Sequence, residues 1–157
     1  MRSAYNLARW LVRNGDDAED IVQEAFLKAF KALDGYRGGD ARVWMLAIVR
    51  NTAMNFLRKR QDAAIDLDQR EPADRSPNAE QGLIEENRCE QVRRAIAQLE
   101  PEFRETVVLR EIEGLSYKEI AAVLDIPTGT VMSRLSRARQ RLLNELAPMK
   151  EVRHELP

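Results

Sequence analysis

The chain has 157 residues, 25 Lys plus Arg against 26 Asp plus Glu, 44% hydrophobic residues and one cysteine. That length admits one ordinary domain or two small ones. The single Cys89 excludes an internal disulfide and fits a reducing cytoplasm, where the protein is expected to reside. No apolar run approaches the roughly 18–20 residues that span a bilayer. The opening stretch "MRSAYNLARWLVRNGDD" lacks the apolar core and cleavage site of a secretion signal. His154 is the lone histidine and has no second ligand near it, so neither a metal nor another cofactor is expected.

Charge is spread unevenly. Residues 1–60 hold eleven cations and seven acids, residues 61–90 three and nine, and residues 91–157 eleven and ten. Two neutral-to-basic blocks flank an acidic one, an arrangement that leaves room for two nucleic-acid surfaces.

In chain order, Ala4–Asn14 reads as an amphipathic helix stopped at Gly15. A second helix runs through "DDAEDIVQEAFLKAFKAL", with Asp16 or Asp17 as its cap and acids in the first turn, where the helix dipole favours them. Its apolar positions include Ile21, Val22, Ala25, Phe26, Ala29, Phe30 and Leu33. Asp20, Gln23 and Glu24 share a face at i, i+3, i+4, two carboxylates and an amide fit to dock a basic partner. The glycine-rich "DGYRGGDA" is a loop. A third helix then spans about Arg42 to Arg60.

From Gln61 to Asn87 the chain is acidic, carries Pro72 and Pro77, and reads as a flexible linker. "RCEQVRRAIAQL" and "EPEFRETVVLREIEGL" follow as helices, with Pro101 suited to a first turn. In "GLSYKEIAAVLDIP", Ser116 and Glu119 form a capping box, and Ile120, Ala121, Val123 and Leu124 make the apolar face of a short helix.

The last helix carries four arginines and no acid through "TGTVMSRLSRARQRL", with Thr128 as its expected N-cap. Val131, Leu135, Ala138 and Leu142 fall on one narrow stripe at about 100° per residue. The opposite face is Ser133, Ser136, Arg137 and Gln140, edged by Met132 and flanked by Arg134, Arg139 and Arg141. Short hydrogen-bonding groups ringed by cations suit a helix reading base edges between two phosphate backbones. Two short helices joined by a tight turn make this a helix-turn-helix. The fold class expected is all-α: two small helical domains, residues 1–60 and 88–147, joined by the acidic linker 61–87 and followed by a tail, 148–157.

A second surface is expected between Tyr36 and Arg60. Tyr36 and Arg37 beside the glycine loop are suited to holding an unstacked base. Asn51 and Asn55 lie one turn apart, within reach of bases. Trp44 and Phe56 are read as core, while the Arg58–Arg60 cluster suits phosphate contact and a solvated helix end equally.

The ordered set of "DAEDIVQEAFLKAFKAL", "YRGGDARVWMLAIVRNTAMNFLRKR" and "LEPEFRETVVLREIEGLSYKEIAAVLDIPTGTVMSRLSRARQRL" resembles the extracytoplasmic-function group of bacterial RNA polymerase sigma factors, which keep only the second and fourth conserved regions. The match runs from about Ala4 to Leu146. The resemblance implies core-polymerase binding by Asp20, Gln23 and Glu24. It implies minus-ten recognition by Tyr36, Arg37, Arg50, Asn51, Asn55 and Arg58. Minus-thirty-five recognition would fall to Thr130, Met132, Ser133, Arg134, Ser136 and Arg137. It further implies core RNA polymerase, promoter DNA and an anti-sigma factor as partners, and no enzymatic activity. Three departures stand out: most members have a longer helix before "AYNLARW", Met132 stands where many carry Arg or Lys, and Ser136 where some carry a large aromatic. The rival readings are a stand-alone operator-binding regulator, which leaves the Asp20 face and the base-pocket loop without a role, and a recombinase or nuclease, which lacks a nucleophile or metal cluster.

Overall fold

A computed structural model describes residues 1–67 and 84–147, with side chains described for 1–64 and 88–147. The expected flexibility of the linker at residues 68–83, and the tail at 148–157, lie outside the described residues. Every regular element among the described residues is helical.

Helix α1 (Arg2–Val12) buries Ala4, Leu7, Ala8, Leu11 and Val12, an i, i+3, i+4, i+7 stripe. It ends two residues before the expected Asn14. Arg13 takes a left-handed conformation (φ 61°) and donates its backbone N–H to Arg9 O at 3.0 Å. Asn14 therefore becomes available as the cap of α2 (Gly15–Ala32), its side chain accepting from the Asp17 N–H at 3.0 Å. Asp16 and Asp17 lie inside the first turn, where they complement the dipole rather than cap the helix.

Helix α2 buries Ala18, Ile21, Val22, Ala25 and Ala29. Phe26, Phe30 and Leu33, counted from sequence among its apolar positions, are 38%, 77% and 55% exposed. The small alanines bring α2 close to its neighbours and leave the aromatics outside.

The loop after α2 ends at Asp40, whose Oδ1 accepts from the N–H groups of Arg42 (2.8 Å) and Val43 (3.3 Å). Helix α3 (Ala41–Leu67) follows and buries Leu46, Val49, Thr52 and Ala53. It runs seven residues beyond Arg60, into the stretch read as linker. "QDAAIDL" contains neither glycine nor proline, and extending a formed helix fixes one residue per hydrogen bond gained.

Helix α4 (Ile84–Gln98) leads to α5 (Pro101–Val107), with Pro101 in the first turn as expected. The run "EPEFRETVVLREIEGL" is not one regular helix. Residues Val108–Ile112 widen into a π turn, with Glu113 N–H reaching Val108 O at 3.0 Å, and Gly114 (φ 70°) ends it.

The capping box of α6 (Tyr117–Leu124) is present in both directions, at 2.6 and 3.2 Å, and Asp125 closes the helix in the left-handed region. Helix α7 (Thr128–Leu146) is capped by Pro127, not Thr128. The Pro127 carbonyl accepts from Thr130 and Val131, so the rigid extended proline fills the boundary position and Thr128 moves into the helix. Val131, Leu135 and Ala138 are buried as the stripe predicts.

The helices form two groups, α1–α3 and α4–α7, that also pack on each other. Helix α3 lies against α6, α1 lies against α5 and the π turn, and the buried side chains of both groups join in one cluster. Leu7, Leu46 and Val49 belong to the same core as Leu109, Ile120 and Val131. Helical periodicity does not foretell which helices meet at this seam.

The cap assignment is testable by urea denaturation. Asn14→Ala is expected to lower stability by about 1 kcal/mol and Asn14→Gly by only a few tenths.

Candidate functional surfaces

The first surface lies on α2. Asp20, Gln23 and Glu24 are all exposed, on the face opposite Ile21, Val22 and Ala25. Glu24 is tied along the helix to Lys28 at 2.6 Å, and exposed pairs of this kind add little to stability. Leu27 (63% exposed) and Phe30 prolong the same side of the helix. The result is an acidic and amide strip continued by uncovered apolar side chains. Leu27 and Phe30 lie side by side on this strip and are not scattered singly.

The second surface runs from the loop into α3. Tyr36 is half-buried, and its hydroxyl donates to Gly39 O at 2.7 Å, closing the loop on itself. Gly38 and Gly39 have φ of 90° and 104°, so only glycine turns the chain there without strain. The Tyr36 ring lies on Trp44, centroids 4.8 Å apart at 42°. Trp44, read as core, is half-buried and forms one wall beside the loop. Arg37 is exposed, and so are Asn51, Asn55 and Arg58, which follow one another at i, i+4, i+7. Those three share an open helix face. Arg50 does not belong to it; it is turned towards α5.

The third surface is on α7. Met132, Ser133, Ser136 and Arg137 are exposed and Thr130 is half-buried. Ser133 Oγ donates to Thr130 O at 3.0 Å. Of the four arginines in this helix, three are engaged within the molecule. Arg139 pairs with Glu111 at 2.8 Å, and its hydrogen bonds to Glu111 and Tyr117 raise its pKa. Arg141 pairs with Glu100 and lies over the Phe103 ring at 4.6 Å. Arg134 reaches Glu105 at 3.4 Å. Arg137 points outward and pairs with none of the described residues. The basic character of the segment is thus partly internal wiring.

Between the two helix groups lie polar contacts that sequence reasoning missed. Glu105 is buried on α5 and accepts from Arg50 through both carboxylate oxygens, Nε at 3.0 Å and the terminal nitrogen at 3.1 Å, and from Arg134 on one of them. Glu113, at the end of the π turn, takes Arg42 on its carboxylate at 2.8 Å and on its backbone carbonyl at 2.7 Å, while Asn6 donates to its other oxygen at 3.3 Å. The wider turn carries Glu113 out of helical register and sets it against the start of α3. A legible signal existed for Glu105. With Val108 and Leu109 it falls on one face at i, i+3, i+4, and an acid on an apolar face calls for a buried cation.

Arg104 is a further buried cation across the same seam. It donates to Leu99 O at 2.9 Å, just past the end of α4, and to Trp10 O at 3.5 Å, in the last turn of α1. The negative ends of two helix dipoles take the place of a carboxylate. Burial lowers its pKa, and the neighbouring Arg13 lowers it further. Its Nε has no hydrogen-bond partner.

The family described as Sigma-70 region 2 matches residues 1–63, and that described as Sigma-70, region 4 matches residues 89–142. The chain is 40% identical over 144 residues to the ECF RNA polymerase sigma-E factor of Escherichia coli, covering 85% of this chain and 75% of that protein. It is 40% identical over 147 residues to the ECF RNA polymerase sigma factor SigE of Mycolicibacterium smegmatis, covering 91% and 57%. Among solved structures, it is similar to the sigma factor RpoE in complex with the anti-sigma factor NepR from Bartonella quintana, with a TM-score of 0.80, 30% identity and coverage of 93% and 91%. CnrH in complex with the cytosolic domain of CnrY is also similar, at a TM-score of 0.67, 27% identity and coverage of 94% and 82%.

If the α2 row is an open face, its side chains contribute nothing to the fold. Leu27→Gln with Phe30→Gln is expected to shift the urea midpoint by no more than about 0.5 kcal/mol, whereas Ile21→Ala on the opposite side costs about 2–5 kcal/mol.

Proposed function

The chain belongs to the extracytoplasmic-function (ECF) family of RNA polymerase sigma factors, and from that premise we propose how its surfaces divide the work of starting transcription at chosen promoters. It directs promoter-specific initiation as a subunit of the polymerase. Asp20, Gln23 and Glu24 dock the chain on core RNA polymerase, with Leu27 and Phe30 adding apolar contact. Tyr36, Arg37, Arg50, Asn51, Asn55 and Arg58 engage the minus-ten element. Thr130, Met132, Ser133, Arg134, Ser136 and Arg137 engage the minus-thirty-five element in the major groove. The division follows the proposed domains, residues 1–60 and 88–147, with 61–87 as the linker and 148–157 as the tail.

The observation that carries the reading is the pairing of an open α7 face with an open α3 face on one chain, in the order of the two sigma regions. A stand-alone operator binder has no use for the second face or for the α2 strip, and the two-region match disfavours it.

The physical logic is tethering. Each domain alone neutralises a few phosphates, and such binding falls steeply with salt. Held on one polymerase, the second contact becomes intramolecular, at an effective concentration of order millimolar for short linkers. Tyr36, Arg37 and the loop then hold bases whose unpairing costs a few kcal/mol, least where the strand is already open. The chain forms and breaks no covalent bonds; that chemistry belongs to the polymerase, and we read the chain as no enzyme. It works where the polymerase and the chromosome are, in the cytoplasm. No described helix is long and apolar enough to cross a membrane. Both structural relatives named above were solved with anti-sigma partners or a partner's cytosolic domain, and we propose such a partner here.

Run-off transcription with purified core polymerase and a promoter library tests the assignment. Wild type is expected to initiate from a shared two-part motif. Asp20→Ala with Glu24→Ala is expected to lose core binding, and Asn51→Ala to fail at the minus-ten element. Arg137→Ala is expected to cost about 1–3 kcal/mol at the minus-thirty-five element, roughly 5- to 150-fold in affinity. A wild-type chain that neither stimulates initiation nor binds core would reduce the protein to a helix-turn-helix DNA binder.

A further inference from the structure

We propose that Met132 is a specificity-determining residue that reads thymine: its side chain packs on the 5-methyl group of one thymine in the minus-thirty-five element. This rests on the reading of the open α7 face as the minus-thirty-five surface.

The fold makes little use of Met132. It is 51% exposed, while Val131 and Leu135, the core residues of this turn, are 0% and 1% exposed. At about 100° per residue Met132 lies at one margin of the outer face and Arg137 at the other, with Gly129, Ser133 and Ser136 between them. All five are exposed. The fold does not explain Gly129 either. It lies within α7 and does not take the positive φ of Gly38, Gly39 and Gly114. A Cβ added there meets no heavy atom of the described residues within 4 Å. Glycine in a helix is less favourable than alanine, and neither conformation nor packing requires it here. A bare backbone serves where something outside the molecule comes close. Residues three apart share a helix face, so Met132 stands beside an open step in the surface of α7.

The chemistry selects the base. Along the major groove the thymine methyl is the one apolar group that a base edge presents. A thioether donates no hydrogen bond and accepts only weakly. Against adenine, guanine or cytosine it would cover an amino, carbonyl or ring-nitrogen group without pairing it, which costs free energy. Against thymine it meets its own kind, and an unbranched, flexible side chain adapts to the methyl. The neighbours on this face carry the polar part of the code. Arg137 has the fork that suits guanine O6 and N7. Ser133 spends its hydroxyl proton on Thr130 O at 3.0 Å, so its oxygen is left to accept from a base amino group. In a helix-turn-helix the base edges are met by the N-terminal part of the second helix, and Met132 is the fifth residue of α7.

Deoxyuridine is the probe, because it is thymidine without the methyl and pairs in the same way. The minus-thirty-five element is first selected from a promoter library by core polymerase carrying the chain. Each thymine of the element, on either strand, is then replaced in turn by deoxyuridine, and promoter affinity is measured. Wild type is expected to lose about fourfold at one position, the worth of one buried methyl. Met132→Ala and Met132→Gln are expected to bind the thymine promoter about fourfold more weakly and to respond to uracil at that position by less than about 1.5-fold. Met132→Leu, apolar like the wild type, is expected to keep a response of at least about twofold. The side chain lies outside the core, so none of these substitutions is expected to disturb the fold.

A wild-type chain that responds to uracil at no position overturns the proposal, as does an element without thymine. So does a uracil response of equal size in wild type and Met132→Gln. Binding to core polymerase is scored separately. A chain that binds core and initiates from a two-part motif without a methyl response keeps the sigma assignment and loses this role for Met132. A chain that does not bind core loses the sigma assignment; the full chain alone then selects its element from random duplexes, and the same uracil series decides Met132. A chain that selects no sequence in that format overturns both.

Discussion

A carboxyl group that is almost wholly buried needs hydrogen-bond donors against it, and the placement of Glu105 therefore constrains the side chains around it. It draws Arg50 inward from α3, across the seam between the two helix groups, and Arg134 inward from α7 within its own group. Arg104 solves the converse problem, a buried cation without a carboxylate, by resting on the carbonyls that end α1 and α4. Glu113 and Arg42 complete the series. The seam is apolar in most of its area and polar at a few fixed points. Apolar packing supplies attraction without direction, and the ion pairs supply register.

That division of labour explains why the exposed residues are so selective. On α7, the cations that flank the reading face are drawn to Glu105, Glu111 and Glu100, and the residues left facing outward are Met132, Ser133, Ser136 and Arg137. On α3, Arg50 is engaged and Asn51, Asn55 and Arg58 are open. In each case some cations are held within the molecule, and one arginine, Arg58 or Arg137, is left outward beside the hydrogen-bonding side chains.

Much of this was legible in the sequence because it is written in short-range chemistry. The Ser116–Glu119 box, the Val131–Leu135–Ala138 stripe and the glycine loop each specify local geometry from neighbouring residues alone. The cap of α2 lies two to three residues before the expected Asp16 or Asp17, and that of α7 one residue before Thr128, because neighbouring residues could each fill the role. At Asn14 and Pro127, the backbone conformation of the preceding turn decided between them. The π turn at Val108–Ile112 leaves no composition signature, and with it the position of Glu113 was hidden. The seam itself joins residues 55 to 107 positions apart, and helical periodicity is blind to such distances.

The uncovered row on α2 has a consequence for how the chain behaves when alone. Phe30, Leu27 and Leu33 are the large side chains that a small protein ordinarily keeps inside, and here the alanines at positions 25 and 29 occupy the interior instead. A protein built this way is incomplete as a solute. Its solubility and its residence time in the cell depend on the supply of a covering surface, because excess copies present the same sticky helix to each other and to the machinery that removes unfolded chains. On the docking proposed above, the abundance of the chain is coupled to that of the polymerase surface that covers this row.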